Sequence, residues 1–205
     1  MPRRPKKLST RKAVAIVGEG SSEWYYFQSV KKNENYNFKV KPEKPKNSNF
    51  KDIFKKAEDL IKDEYDVVFC LIDLDVIQSK DKIYRVYQNQ KDKILKEFKK
   101  QIVILEQHPC FEIWFLLHFD KKSSEFHNCK EMIKELKDKN KTSIFKEYDK
   151  SKSFFNKHDI YGELLPYLQD AINNSKWLKK QSGNTKCNVY RIIENLSKIN
   201  KKPGR

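Results

Sequence analysis

The sequence predicts an α/β fold: a parallel sheet flanked by helices, with a C-terminal helical extension. Two observations predict it. Short apolar runs alternate with amphipathic segments as far as residue 120, in the β-α order that builds a parallel sheet through right-handed crossovers. From residue 129 onward only helical periodicity remains. A length of 205 residues fits one domain, or one with a modest appendage, and is enough to bury a core.

The elements follow in order. Residues 1–12 are basic, contain two prolines, and are expected to form a disordered arm. Ala13 to Val17 is a buried strand. Gly18-Glu19-Gly20 makes a tight turn, and Ser21 or Ser22 can cap a helix carrying Trp24, Phe27 and Val30 on one face. A short strand over 36–41 ends near Pro42, and a Pro/Lys/Asn/Ser loop runs to Asn49. Phe50, Ile53, Phe54, Ala57, Leu60 and Ile61 fit the i, i+3, i+4, i+7 pattern of a helix. Val67 to Ile72 is wholly apolar, as a parallel strand covered on both faces should be. Residues 82–100 read as a charged surface helix with Ile83, Val86, Ile94 and Leu95 inward. Ile102 to Leu105 is a strand, His108-Pro109 a turn, and 111–119 an apolar helix. Helices are then expected at roughly 129–139, 145–156, 163–176 and 188–199. The domain division is therefore 1–12 (arm), 13–120 (α/β core) and 121–205 (helical extension packed on the core).

Charge bounds the partners. Lys and Arg number 44 against 28 Asp and Glu, a net charge of +16. A field of that sign attracts polyanions, so nucleic acid, DNA or RNA, is the expected partner; a solvated lysine surface is the alternative. No secretory signal is expected, because no apolar region follows the basic start. No apolar stretch approaches the ~20 residues of a membrane span. The cytoplasm is the expected compartment. Cys70, Cys110, Cys129 and Cys187 are scattered with no C-x-x-C pair, which argues against a zinc site and, in a reducing compartment, against disulfides.

Acidic residues stand where two apolar runs end. Glu19 follows the first strand, and Asp73 and Asp75 follow the third. Ligands of open α/β sheets bind beyond the carboxyl ends of the strands. Carboxylates there can hold a hard divalent cation, Mg²⁺ or Mn²⁺, which would stabilise the charge that builds on a phosphate during phosphodiester cleavage. The alternative is that Asp73 and Asp75 only finish a strand. Glu23, one helical turn past Glu19, is either a supporting group at the site or a favourable charge in a first helical turn.

VGEG after a strand and LIDLD after a later one resemble the TOPRIM domain of topoisomerases, primases and some nucleases. More narrowly, IVGEGSSEWYYF (16–27), CLIDLD (70–75), HPCFEIWFLLHF (108–119) and GNTKCNVYRIIENL (183–196) resemble the RloB family, linked to bacterial restriction and anti-phage loci. The resemblance implies a TOPRIM-like core with Glu19, Asp73 and Asp75 as the metal-binding set. It also implies a nuclease in phage defence, with an ATPase from a neighbouring gene as a candidate partner.

Glu112 stands alone in an apolar segment, where an unpaired charge is costly. It is expected either as a further carboxylate at the site or as a cap or lysine partner. His108, at a strand end, is a candidate substrate contact or acid/base group. His118 reads as a core residue, and His127 and His158 have no context that raises them. Trp114 and its neighbours read as core, packed on Trp24 and Phe27. Tyr148, Lys150, Lys152, Phe154 and Phe155 mix aromatic and basic residues, and Lys176, Lys179, Lys180 and Lys186 extend the basic character. Asn188 is an expected N-cap, and the loop before it could hold a phosphate.

The function these features support best is a divalent-metal-dependent nuclease. Glu19, Asp73, Asp75 and Glu112 are its expected catalytic residues, with Glu19 the first choice to manage protons. A non-catalytic nucleic-acid-binding or partner-docking subunit is the main rival. Tyrosine-mediated transesterification and a basic protein with merely structural acids are further ones. A homodimer is left open.

Overall fold

The computed structural model describes residues 12–36, 39–44, 47, 49–121, 125–139 and 143–200. Four strands, β1 (Ala13–Val17), β2 (Lys39–Glu43), β3 (Val67–Asp73) and β4 (Ile102–Gln107), form an all-parallel sheet in the order β2-β1-β3-β4. The α/β fold is thus present. Except for Lys12, the expected basic arm lies outside the described residues.

Strand alternation divides the core in two. Val14, Ile16, Phe69 and Leu71 face one layer, with α1 (Ser21–Asn33) and the helices after β4. Ala15, Val17, Val68, Cys70 and Ile72 face the other, with α2 (Phe50–Lys62), the short α3 (Asp75–Gln78) and α4 (Asp81–Phe98). Both faces are covered, which is why β3 reads as an unbroken apolar run. The chain leaves β1 toward β2 on one side and then crosses to β3 on the other. The reversal creates a crevice between the carboxyl ends of β1 and β3, the place where such sheets bind ligands.

Several elements differ from expectation. The second strand runs through Pro42, which is registered against Ile16. An edge strand tolerates proline because its outer side has no neighbour to receive an N–H; residues 37 and 38 lie outside the described residues. In α1 the inward stripe is Ser22, Glu23, Tyr26, Phe27 and Val30, while Trp24 is only half-buried. Tyr26 therefore takes the place expected of Trp24, packing on Phe111, Trp114 and Phe115. The segment 111–119 is buried throughout, but only α5 (Ile113–Leu116) is regular α-helix. Turns flank it, with Trp114 bonded to the Phe111 carbonyl and His118 to that of Phe115.

The extension opens with α6 (Cys129–Lys139), at the expected place. The helix expected over 145–156 is split into a 3₁₀ turn at Ile144–Glu147 and α7 (Lys152–Lys157). The break is Lys150, whose φ of 62° is left-handed, a conformation that costs a non-glycine residue energy. Ser151 restarts the helix by accepting the Phe154 N–H at 3.0 Å. Then come α8 (Ile160–Leu164), a 3₁₀ turn containing Pro166, α9 (Leu168–Leu178) and α10 (Tyr190–Asn200). Asp159 ties α8 to α1, accepting from Ser29, Asn33 and Lys32. Among the described residues, no helix is long and apolar enough to cross a membrane.

Candidate metal centre at the sheet's carboxyl edge

The site begins with two strand ends tied together. The Asp73 backbone N–H, at the end of β3, donates to Glu19 Oε1 after β1 at 3.1 Å. Glu23 Oε1 in turn accepts the Glu19 and Gly20 N–H groups at 3.0 and 3.3 Å, half of a capping box that closes the turn into α1. Gly18 is required there by close approach. A Cβ on it would stand 2.5 Å from the Glu23 Cβ. The end of β3 is fastened to β4 as well, through Leu74 N–H to the Gln107 carbonyl and Asp75 N–H to the Pro109 carbonyl. The His108-Pro109 peptide is cis.

Glu112 arrives from the segment after β4 and is 1% exposed. Its Oε1 accepts from Ser22 Oγ at 2.7 Å and Tyr148 Oη at 2.8 Å, and it pairs with Lys150 Nζ at 2.8 Å. Of the two expectations for Glu112, lysine pairing is therefore met, and the carboxylate also neighbours the acidic cluster. Lys150 is also the left-handed residue that stands between the 3₁₀ turn and α7.

The carboxyl groups feel one another. Burial, reinforced by Glu23 and Asp75, pushes Glu19 up to about 7. Asp73 is held well above its ordinary range by burial and then by Glu23, Glu19 and Glu112. Glu23 is raised by burial and by Glu112. Burial works to lower the Lys150 ammonium, but Glu112, Asp73 and Glu23 outweigh it and hold the group above its usual value. Tyr148 is likewise held far above the usual phenol, by burial and then by Glu112. The cluster thus concentrates acidic oxygens around one cation, and its hard donors suit Mg²⁺ or Mn²⁺. It is open rather than caged. Among the described residues, the trio whose ligand atoms all fall within 4.8 Å is Cys110, Glu112 and Cys129, not Glu19, Asp73 and Asp75.

Two hollows flank this edge. One, of about 600 Å³, is floored by Glu19 and Asp73 and walled by Phe50, Ile77, Ile83 and Val86, with Lys51 and Lys82 beside them. The other, of about 260 Å³, brings Asp75 together with His108, His127 and Asn184. Asp75 thus borders a different hollow from Glu19 and Asp73. His108 is lowered by burial, against the pull of Asp75. It also bridges to Lys186, with N–H···O bonds of 2.9 and 3.1 Å in the two directions. His118 is in the core. Its Nδ1 is 2.8 Å from the Trp114 carbonyl, and burial lowers it to about 4. Asn188 ties the approach to α10 to β4. Its side chain donates to the Glu106 carbonyl at 2.8 Å, and its N–H to Gln107 Oε1 at 3.0 Å.

One expectation is overturned: Cys110 and Cys129 form a disulfide, while Cys70 and Cys187 remain free and buried. The two paired residues are 19 apart in sequence. No local spacing announces the pairing, because it joins two elements that meet only in the folded chain. Lys150, Tyr148 and Ser22 are the site residues whose roles were not legible. Their only sequence signal was the aromatic-basic mixture around 148–155 and a serine at a helix start.

A sequence model of the RloB-like protein family matches residues 14–196. The comparison with curated proteins and the comparison with solved structures give no match.

Proposed function

The chain belongs to the RloB-like protein family, and on that premise we propose that it is a divalent-metal-dependent nuclease that hydrolyses nucleic-acid phosphodiester bonds in anti-phage defence. The observation that carries this is the crowding of Glu19, Glu23, Asp73 and Glu112 at the switch point of a parallel sheet, with Lys150 among them. Like charges packed so closely disfavour the ionised state, and a dication relieves them.

Glu19, Asp73 and Asp75 would hold Mg²⁺ or Mn²⁺, and the ion would supply charge neutralisation at the phosphate and activation of water. Glu19, raised to about 7 by burial in the metal-free cluster, would release its proton as the cation is taken up. Glu23 fixes the backbone of the Glu19 turn and so orients it. Lys150, paired with Glu112, offers a positive charge to an anionic substrate. The net charge of +16 draws the polyanion in.

The test is cleavage of end-labelled DNA and RNA with Mn²⁺ or Mg²⁺, by wild type and by Asp73→Asn. Metal-dependent cleavage lost in the variant supports the proposal. Nucleic-acid binding retained by both proteins, with no cleavage by either, would transfer the function to a binding or docking subunit.

A further inference from the structure

Oε1 of Glu112 is occupied by Ser22, Tyr148 and Lys150, but Oε2 faces elsewhere. It lies 3.6 Å from Cys129 Sγ. In the disulfide that sulfur has no proton to donate, so a carboxylate oxygen buried to 1% exposure points at a group that cannot satisfy it. Such an arrangement calls for a different state of the sulfurs. We propose that Cys110, Cys129 and Glu112 form a thiolate-rich zinc site that opens when the disulfide is reduced.

The chemistry balances simply. A dithiol reductant adds two electrons to the S–S bond and two protons to the sulfurs. Zn²⁺ then displaces both thiol protons to solvent and is held by two thiolates and one carboxylate oxygen. The geometry fits. A tetrahedral zinc with Zn–S of ~2.3 Å and Zn–O of ~2.1 Å has an S···O edge of about 3.6 Å. The Cys129 sulfur and Glu112 Oε2 already stand at that separation. The two sulfurs must move apart to about 3.8 Å, which side-chain rotation can supply with the Cα atoms 5.6 Å apart.

The surroundings meet the other needs of a metal site. Ser22 and Tyr148 hold the carboxylate from its far oxygen, as outer partners of metal ligands do. Cys129 is half-buried, which leaves a path of entry. Lys150 Nζ, 3.4 Å from the Cys129 sulfur, shows that this spot already holds a cation. Its side chain is 42% exposed, so it can swing out when the metal arrives. Two soft ligands select Zn²⁺ over Mg²⁺, and three protein ligands leave a fourth position for water. The site shares Glu112 and Lys150 with the proposed nuclease centre, but its test reads cobalt binding and not cleavage, so either reading can fail without the other.

The test uses full-length protein reduced with a phosphine, freed of it without oxygen, and titrated with Co²⁺ as a spectroscopic stand-in for Zn²⁺. Reduced wild type should bind one equivalent, with a thiolate-to-cobalt charge-transfer band that Zn²⁺ abolishes. Oxidised wild type should show no such band, a comparison that no variant's folding can confound. Cys110→Ser/Cys129→Ser, which keeps Cys70 and Cys187, should lose the band. Glu112→Gln should weaken binding roughly tenfold or more. A reduced wild type without the band, a band that persists in the double variant, or unchanged affinity in Glu112→Gln would overturn the site.

Discussion

Lys150 Nζ lies 2.8 Å from Glu112 Oε1, so a cation from the helical extension closes a carboxylate cluster built by the α/β core. Lys150 is the left-handed residue that interrupts the expected helix over 145–156. Backbone cost and inward aim therefore fall on one residue.

Lys150→Met should destabilise the protein by about 1–2 kcal/mol. Removing one partner of a buried pair is more costly than that, but Lys150 is 42% exposed and Ser22 and Tyr148 still donate to Glu112. Urea unfolding measures it. Glu112→Gln in the same background should recover part of the loss, since the orphaned charge is gone. A full, additive loss in the double variant would show that the pair is not coupled.

Glu19 gives a pH signature of fixed sign. Its carboxyl is raised from 4.5 to about 7, by burial first. Over that window the native state binds more protons than the unfolded state, so this group's contribution to stability falls as pH rises. Glu19→Gln should therefore gain stability relative to wild type between pH 4.5 and 7, by about 1–2 kcal/mol at the upper end. Denaturation curves across pH provide the measurement. A difference that shrinks with rising pH would refute the sign.

Mn²⁺ should raise the melting temperature of the wild type, and more at pH 8 than at pH 6, because ligand carboxyls must lose their protons first. Asp73→Asn/Asp75→Asn should show no response. Without metal at pH 8, Asp73→Asn should melt higher than wild type, because it removes a desolvated carboxyl that Glu23, Glu19 and Glu112 crowd.

Gly18→Ala should cost about 1–3 kcal/mol. The added Cβ would stand 2.5 Å from Glu23 Cβ and 2.9 Å from its Cγ, so Glu23 must shift. Thermal melts report the loss. The shift should also weaken the Mn²⁺ response, since Glu23 holds the Glu19 turn.

The sequence by itself determined the α/β class, the positions of the four strands to within a few residues, and the placement of Glu19, Asp73 and Asp75 at strand ends. These are local properties. An unbroken apolar run, a Gly-Glu-Gly turn and an Asp-Leu-Asp exit are each written in neighbouring residues. Only the tertiary structure decided the rest. It set the order β2-β1-β3-β4, which puts the ends of β1 and β3 side by side. It turned Asp75 toward the hollow of His108 and His127. It brought Ser22, Tyr148 and Lys150 onto the Glu112 carboxylate, and Cys110 onto Cys129. Those meetings join residues far apart in the chain. No periodicity encodes them, because they follow from how the buried segment 111–119 and the extension pack on α1 and the sheet.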